Sequence, residues 1–115
     1  DIKRRIGFRS KSWGIELVVL LVKVPSKTTV TVKCTGRGCP SGTFKKRTRK
    51  KAGTLTFDKI HGFVRAGGKI TIVTTHAARI TAYDTYIVRG NGRGPLLRER
   101  CMVPGKKKPQ HCPSR

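Results

Sequence analysis

The 115-residue chain carries 27 Lys and Arg against five Asp and Glu, a formal net charge of +22. More than five cations per carboxylate exclude internal neutralisation, so self-repulsion opposes compaction unless an anionic partner lies close to the surface. Apolar residues are 36% of the chain, yet Val, Ile and Leu fall in runs, which excludes a wholly disordered chain and predicts one domain with one core.

The pattern along the chain predicts an all-β fold. Residues 1–14 (DIKRRIGFRSKSWG) read as a basic N-terminal arm with Phe8 and Trp13 as apolar anchors. Such an arm could extend onto a neighbouring subunit by strand addition. A start at Asp1 rather than Met is read as a processed terminus.

Residues 15–24 (IELVVLLVKV) hold eight apolar residues interrupted by Glu16 and Lys23. The run is about half of what a membrane-spanning helix needs, so no transmembrane segment is expected. Read as a strand, it is apolar on both faces, with Ile15, Leu17, Val19 and Leu21 on one side and Val18, Leu20, Val22 and Val24 on the other. That places it centrally between two layers or under another subunit. Phe8, Trp13, Val18, Leu20 and Val22 are accordingly the candidate assembly residues.

Residues 29–34 (TVTVKC) alternate, with Val30, Val32 and Cys34 on one face and Thr29, Thr31 and Lys33 on the other. Residues 54–57 repeat the alternation with Leu55 and Phe57, and residues 69–75 (KITIVTT) and 79–89 (RITAYDTYIVR) read as two further strands joined through His76. Turn signals fall at Pro25-Ser26, at 36–42, at Gly67-Gly68 and at 90–95. Short strands at this spacing, without helical periodicity, predict a sandwich or barrel.

Four cysteines permit three pairings, among which sequence alone does not choose. Cys34 and Cys39 enclose four residues, and Cys101 and Cys112 enclose ten. Gly36 and Gly38 in the first loop, and Pro104-Gly105 in the second, favour local disulfides over a four-cysteine zinc site, whose ligand pairs are usually closer in sequence. Disulfides in turn predict an oxidising, extracellular compartment.

The succession VKCTGRGCP, GGKITIVTT, YIVRGNGRGP and CMVPGKKKPQHC, across residues 18–113, resembles a repeat-type β domain of exported proteins from high-GC Gram-positive bacteria. The Cys-Gly-Cys-Pro turn and the closing Cys-to-Cys loop carry most of that resemblance. Arg79-Ile80-Thr81 departs from it, standing where those sequences carry a Gly-containing turn. The resemblance implies an immunoglobulin-like β-sandwich, secreted or at the cell surface, and names no activity. The expected organisation is the arm at 1–14, a sandwich at 15–100 and a basic, disulfide-closed C-terminal loop at 101–115.

Catalytic signals are weak. Asp1, Glu16, Asp58, Asp84 and Glu99 form no acid/base pair in sequence, and no Ser, Cys or Lys stands in a nucleophile motif. His61, His76 and His111 lack metal-ligand spacing, and residues 90–94 (GNGRG) lack the Lys-Ser/Thr of a phosphate loop. No enzyme, cofactor or metal is expected.

The basic runs point instead to polyanion binding. Residues 45–51 place six cations in seven positions as Lys45, Lys46, Arg47, Arg49, Lys50 and Lys51. Lys3, Arg4 and Arg5 form a second block and Lys106, Lys107 and Lys108 a third, with Arg93, Arg98 and Arg100 between them. Three such blocks suit a repeating anionic backbone, such as extracellular DNA or an acidic wall polymer. Competing readings are an intracellular nucleic-acid protein of small-ribosomal type and a cationic membrane-active domain. Local cysteine pairing counts against the first, and the lack of an amphipathic helix against the second.

Overall fold

The computed structural model describes residues 3–40, 42–76 and 81–102. These form nine strands: β1 (Lys3–Lys11), β2 (Gly14–Val24), β3 (Thr28–Thr35), β4 (Thr43–Arg47), β5 (Gly53–Phe57), β6 (Gly62–Arg65), β7 (Lys69–His76), β8 (Thr81–Ile87) and β9 (Leu96–Met102). All pairings are antiparallel. A four-stranded sheet has β2 at its centre, with β1 on one edge and β5 and β6 along successive halves of the other. A five-stranded sheet runs β4-β3-β7-β8-β9.

The chain changes sheets after β2, β4 and β6, so β2 lies beside β5 and β6 while β3 lies beside β7. This interlocked connection makes the domain an all-β, two-sheet antiparallel sandwich, as expected. Alternation drives it. Val30 and Val32 of β3, Ile70 and Ile72 of β7, and Phe57 of β5 are buried, and the residues between them face outward. Among the described residues, no helix is long and apolar enough to cross a membrane.

The two-faced apolar run of β2 has a local cause. The pairing of β1 with β2 slips by one between Gly7 and Phe8, leaving Val18 as the extra residue. A bulge of this kind reverses the parity of the strand. Ile15 and Leu17 therefore face the core before it, and Leu20, Val22 and Val24 face the same core after it. Leu20 and Val22 are wholly buried, which corrects their assignment to an assembly interface. Of the apolar residues of this run, Val18, Val19 and Leu21 remain on the outer side. The basic arm is likewise a strand of its own sandwich, paired from Lys3 opposite Lys23 to Lys11 opposite Gly14.

Arg4 points inward from β1 and ties the two sheets together. Its Nη1 lies 3.1 Å from Asp84 Oδ2 on β8 and its Nη2 lies 3.1 Å from Glu99 Oε2 on β9. A charged residue turned inward on an edge strand also discourages edge-to-edge association, because sliding the strand would strand the charge.

Cys34 and Cys39 form a disulfide, with Cα atoms 5.4 Å apart. Gly38 within that loop has φ +83°, and a Cβ there would overlap the Phe63 carbonyl oxygen of β6. Arg65 N–H donates to the Arg37 carbonyl at 3.0 Å, so the loop is seated against β6. Cys101 is also disulfide-bonded; Cys112 lies outside the described residues.

Candidate polyanion-binding face

The outer face of the five-stranded sheet is built by the polar half of each alternation. Register aligns these residues in rows across the strands. One row runs Lys45, Thr31, Val73, Tyr83, Arg100, and the next runs Thr43, Lys33, Thr71, Thr85, Arg98. A third runs Thr35, Lys69, Ile87, Leu96, and on the opposite side Arg47 stands across from Thr29 and Thr75. Threonine is favoured here because its β-branch suits an extended backbone while its hydroxyl remains wet.

Six cations border this threonine floor: Lys33, Lys45, Arg47, Lys69, Arg98 and Arg100. With strands about 4.8 Å apart, Lys45 on β4 and Arg100 on β9 stand about 19 Å apart across the sheet. Lys45, Lys33 and Lys69 descend diagonally in Cα steps of about 8 Å. None of the outward residues of these rows is acidic. Of the described carboxylates, Asp84 and Glu99 are engaged at Arg4 and Glu16 at Arg9, while Asp58, after β5, lines a depression at the β4 edge with Thr43, Lys45, Lys46 and Lys59.

Two shallow depressions mark the face. One, of about 520 Å³, is lined by Lys69, Thr71, Tyr83, Thr85, Ile87, Arg98 and Arg100. The other, of about 390 Å³, is lined by Lys27, Thr29, Arg47, Thr48, Arg49 and Lys50. Both bring ammonium or guanidinium donors next to hydroxyls, the donor set that cradles phosphate or carboxylate oxygens.

The basic run 45–51 is positioned by its single neutral residue. Thr48 N–H donates to the Thr28 carbonyl at 2.9 Å, and its hydroxyl donates to the Pro25 carbonyl at 2.6 Å. The same hydroxyl accepts the Thr28 N–H at 3.2 Å. Lys27 N–H adds a bond of 2.8 Å to the Arg49 carbonyl. Fixing the backbone on both sides of Thr48 holds Arg47, Arg49 and Lys50 at one end of the face.

The other sequence-assigned cations are dispersed. Lys46 does not join Lys45 and Arg47: its ammonium donates to the Thr56 carbonyl and lies 5.8 Å from the Phe57 ring centroid. Lys51 is exposed in the segment after β4. Lys3 and Arg5 lie on the outer face of the opposite sheet, paired across from Lys23 and Leu21. Arg4 is turned inside with 11% of its side chain exposed, which corrects its assignment to polyanion binding: both terminal nitrogens are committed to carboxylates. Arg93 is exposed in the turn between β8 and β9, its Nε donating to the Gly90 carbonyl at 3.3 Å. Lys106, Lys107 and Lys108 lie outside the described residues.

Lys33 and Lys69 each stand alone in a threonine-rich strand, so neither belongs to a basic run. Their parity with Thr31 and Thr71 was the available signal, but the strand order that brings them beside Lys45 and Arg98 was not. Among the described residues, no cluster of three or more His, Cys, Asp or Glu could hold a metal ion.

No protein-family model, curated protein or solved structure matches the chain.

Proposed function

We propose that this is a secreted or cell-surface, non-enzymatic protein that binds a polyanion on the outer face of its five-stranded sheet. The observation that carries the reading is the arrangement of six cations and a floor of threonine hydroxyls in outward rows that hold no carboxylate. Such a surface engages a repeating anionic backbone and reads no base or sugar sequence. Extracellular DNA and phosphate- or carboxylate-bearing wall polymers share that chemistry. The Cys34–Cys39 disulfide supports an oxidising compartment, and with it the exported reading over an intracellular nucleic-acid protein. The arm pairs within its own sheet, so self-assembly by donating it forms no part of the proposal.

The test compares equal changes of charge on different faces. Lys45→Glu with Arg47→Glu, and separately Lys3→Glu with Arg5→Glu, alter net charge by the same amount. Affinity for a labelled DNA duplex and for a glycerol-phosphate polymer is measured by fluorescence anisotropy at fixed salt. The first pair is expected to weaken binding about tenfold or more relative to the second, the effect of losing charge-assisted contacts. Equal losses from both pairs would show that total charge alone matters and would overturn the assignment to this face.

A further inference from the structure

The opposite outer face, that of the four-stranded sheet, has a different chemistry. Its centre is apolar: the bulge turns Val18 outward with 46% of the residue exposed, next to the half-buried Val19 and Leu21. Phe63 on β6, 57% exposed, stands opposite Glu16 of β2 and extends the same patch. Cations border the centre along β1 and at the end of β2, while β5 presents Thr54 and Thr56 on the other side. Lys3, Arg5 and Arg9 come from β1 and Lys23 from β2, and Glu16, a carboxylate on this face, is paired with Arg9 at 3.5 Å. At the hairpin end, Trp13 meets Phe63 edge to face at 5.7 Å and carries the Arg65 guanidinium over its ring at 5.0 Å.

We infer that this face docks on the surface of an anionic lipid bilayer, seating Val18, Val19, Leu21 and Phe63 at the boundary of headgroups and acyl chains while the Lys and Arg rim meets the headgroup charge. Charge complementarity selects this occupant. A soluble polyanion would satisfy the rim but leave the apolar centre in water. A second copy of the chain would cover the centre but bring rim against rim, cation facing cation. An anionic bilayer satisfies both parts at once, with apolar side chains entering the interface and basic ones remaining at the headgroups. The Trp13–Phe63 pair beside Arg65 fits the interfacial preference of aromatic rings. This inference uses the sheet face that the polyanion proposal leaves free, and each stands or fails without the other.

Trp13 is the only tryptophan in the chain and so reports on this face directly. The intact protein is mixed with phosphatidylcholine vesicles, with and without phosphatidylglycerol, and with the same lipids carrying brominated acyl chains. Docking predicts that phosphatidylglycerol vesicles shift Trp13 emission to the blue and that brominated chains quench it, while soluble duplex DNA does neither. Phe63→Asp and Val18→Asp, both at exposed positions, should each lower vesicle partitioning about tenfold or more, the effect of removing a buried apolar side chain from the interface. Lys45→Glu with Arg47→Glu, on the far face, should leave the quenching intact. Absence of vesicle binding would overturn the inference. So would binding without acyl-chain quenching, since charge attraction alone would then account for it, and so would an equal Trp13 response to DNA.

Discussion

Arg4 and Asp84 bridge the two sheets of the sandwich, guanidinium to carboxylate at 3.1 Å, with only 2% of the Asp84 side chain exposed. The pair joins β1, an edge strand of one sheet, to β8 of the other, and Glu99 on β9 completes the contact at the rim. In a chain so rich in cations, this Arg has an internal structural role and is not part of the charged surface.

Removing Arg4 breaks its buried ion pair with Asp84, which typically costs about 3–5 kcal/mol. Arg4→Met is therefore expected to lower the urea midpoint sharply. Arg4→Met combined with Asp84→Asn should recover much of the loss, because the buried negative charge that Arg4 faced is removed with it. An Arg4→Met midpoint equal to the parent's would show that the pair does not hold the sheets together.

Tyr86 gives a pH signature to the same region. Burial raises its phenol above the ordinary value, and the adjacent Arg4 guanidinium pulls it the other way without cancelling the effect. Below about pH 10 both folded and unfolded chains keep the phenol protonated, and its contribution to stability is complete. As pH rises further the unfolded chain releases the proton first, so stability is lost on the way up through the folded pKa. Urea midpoints should thus fall more steeply above about pH 10 in the parent than in Tyr86→Phe. Parallel pH profiles would contradict the assignment.

Thr48 links the fold to the candidate face. Thr48→Val keeps the β-branch and removes the hydroxyl that joins Pro25 to Thr28, whose N–H then loses its acceptor. A buried group left unsatisfied costs about 1–3 kcal/mol. The variant should be less stable by that amount in urea denaturation, and amide exchange should quicken at Thr28 and Lys27. Unchanged exchange at both positions would show that Thr48 does not anchor the basic run.

Much of the fold was legible from alternation alone. Thr29, Thr31 and Lys33 against Val30, Val32 and Cys34 gave β3 and its inward face, and the same reading gave β5 and β7. The arm, β4 and β9 were harder, because edge strands rich in Lys and Arg carry polar residues on both sides and lose the period-two signal. The apolar two-facedness of β2 misled for a different reason: a single bulge at Val18 shifts parity, and nothing in the local sequence marks it. The candidate face was only half visible. Lys45 and Arg47 announce themselves as part of a run, whereas Lys33, Lys69, Arg98 and Arg100 become neighbours only through the order β4-β3-β7-β8-β9, a long-range property of the chain.

The most direct test of the central claim is the salt dependence of duplex DNA binding. Six phosphate contacts from Lys33, Lys45, Arg47, Lys69, Arg98 and Arg100 predict that log K falls with log salt at a slope of about −5, or about 10³ in affinity between about 50 and 200 mM. Lys45→Gln with Arg47→Gln should make that slope shallower by about 2, and Lys3→Gln with Arg5→Gln should leave it unchanged. A flat salt response, or a slope that shifts equally with either pair, would contradict the account.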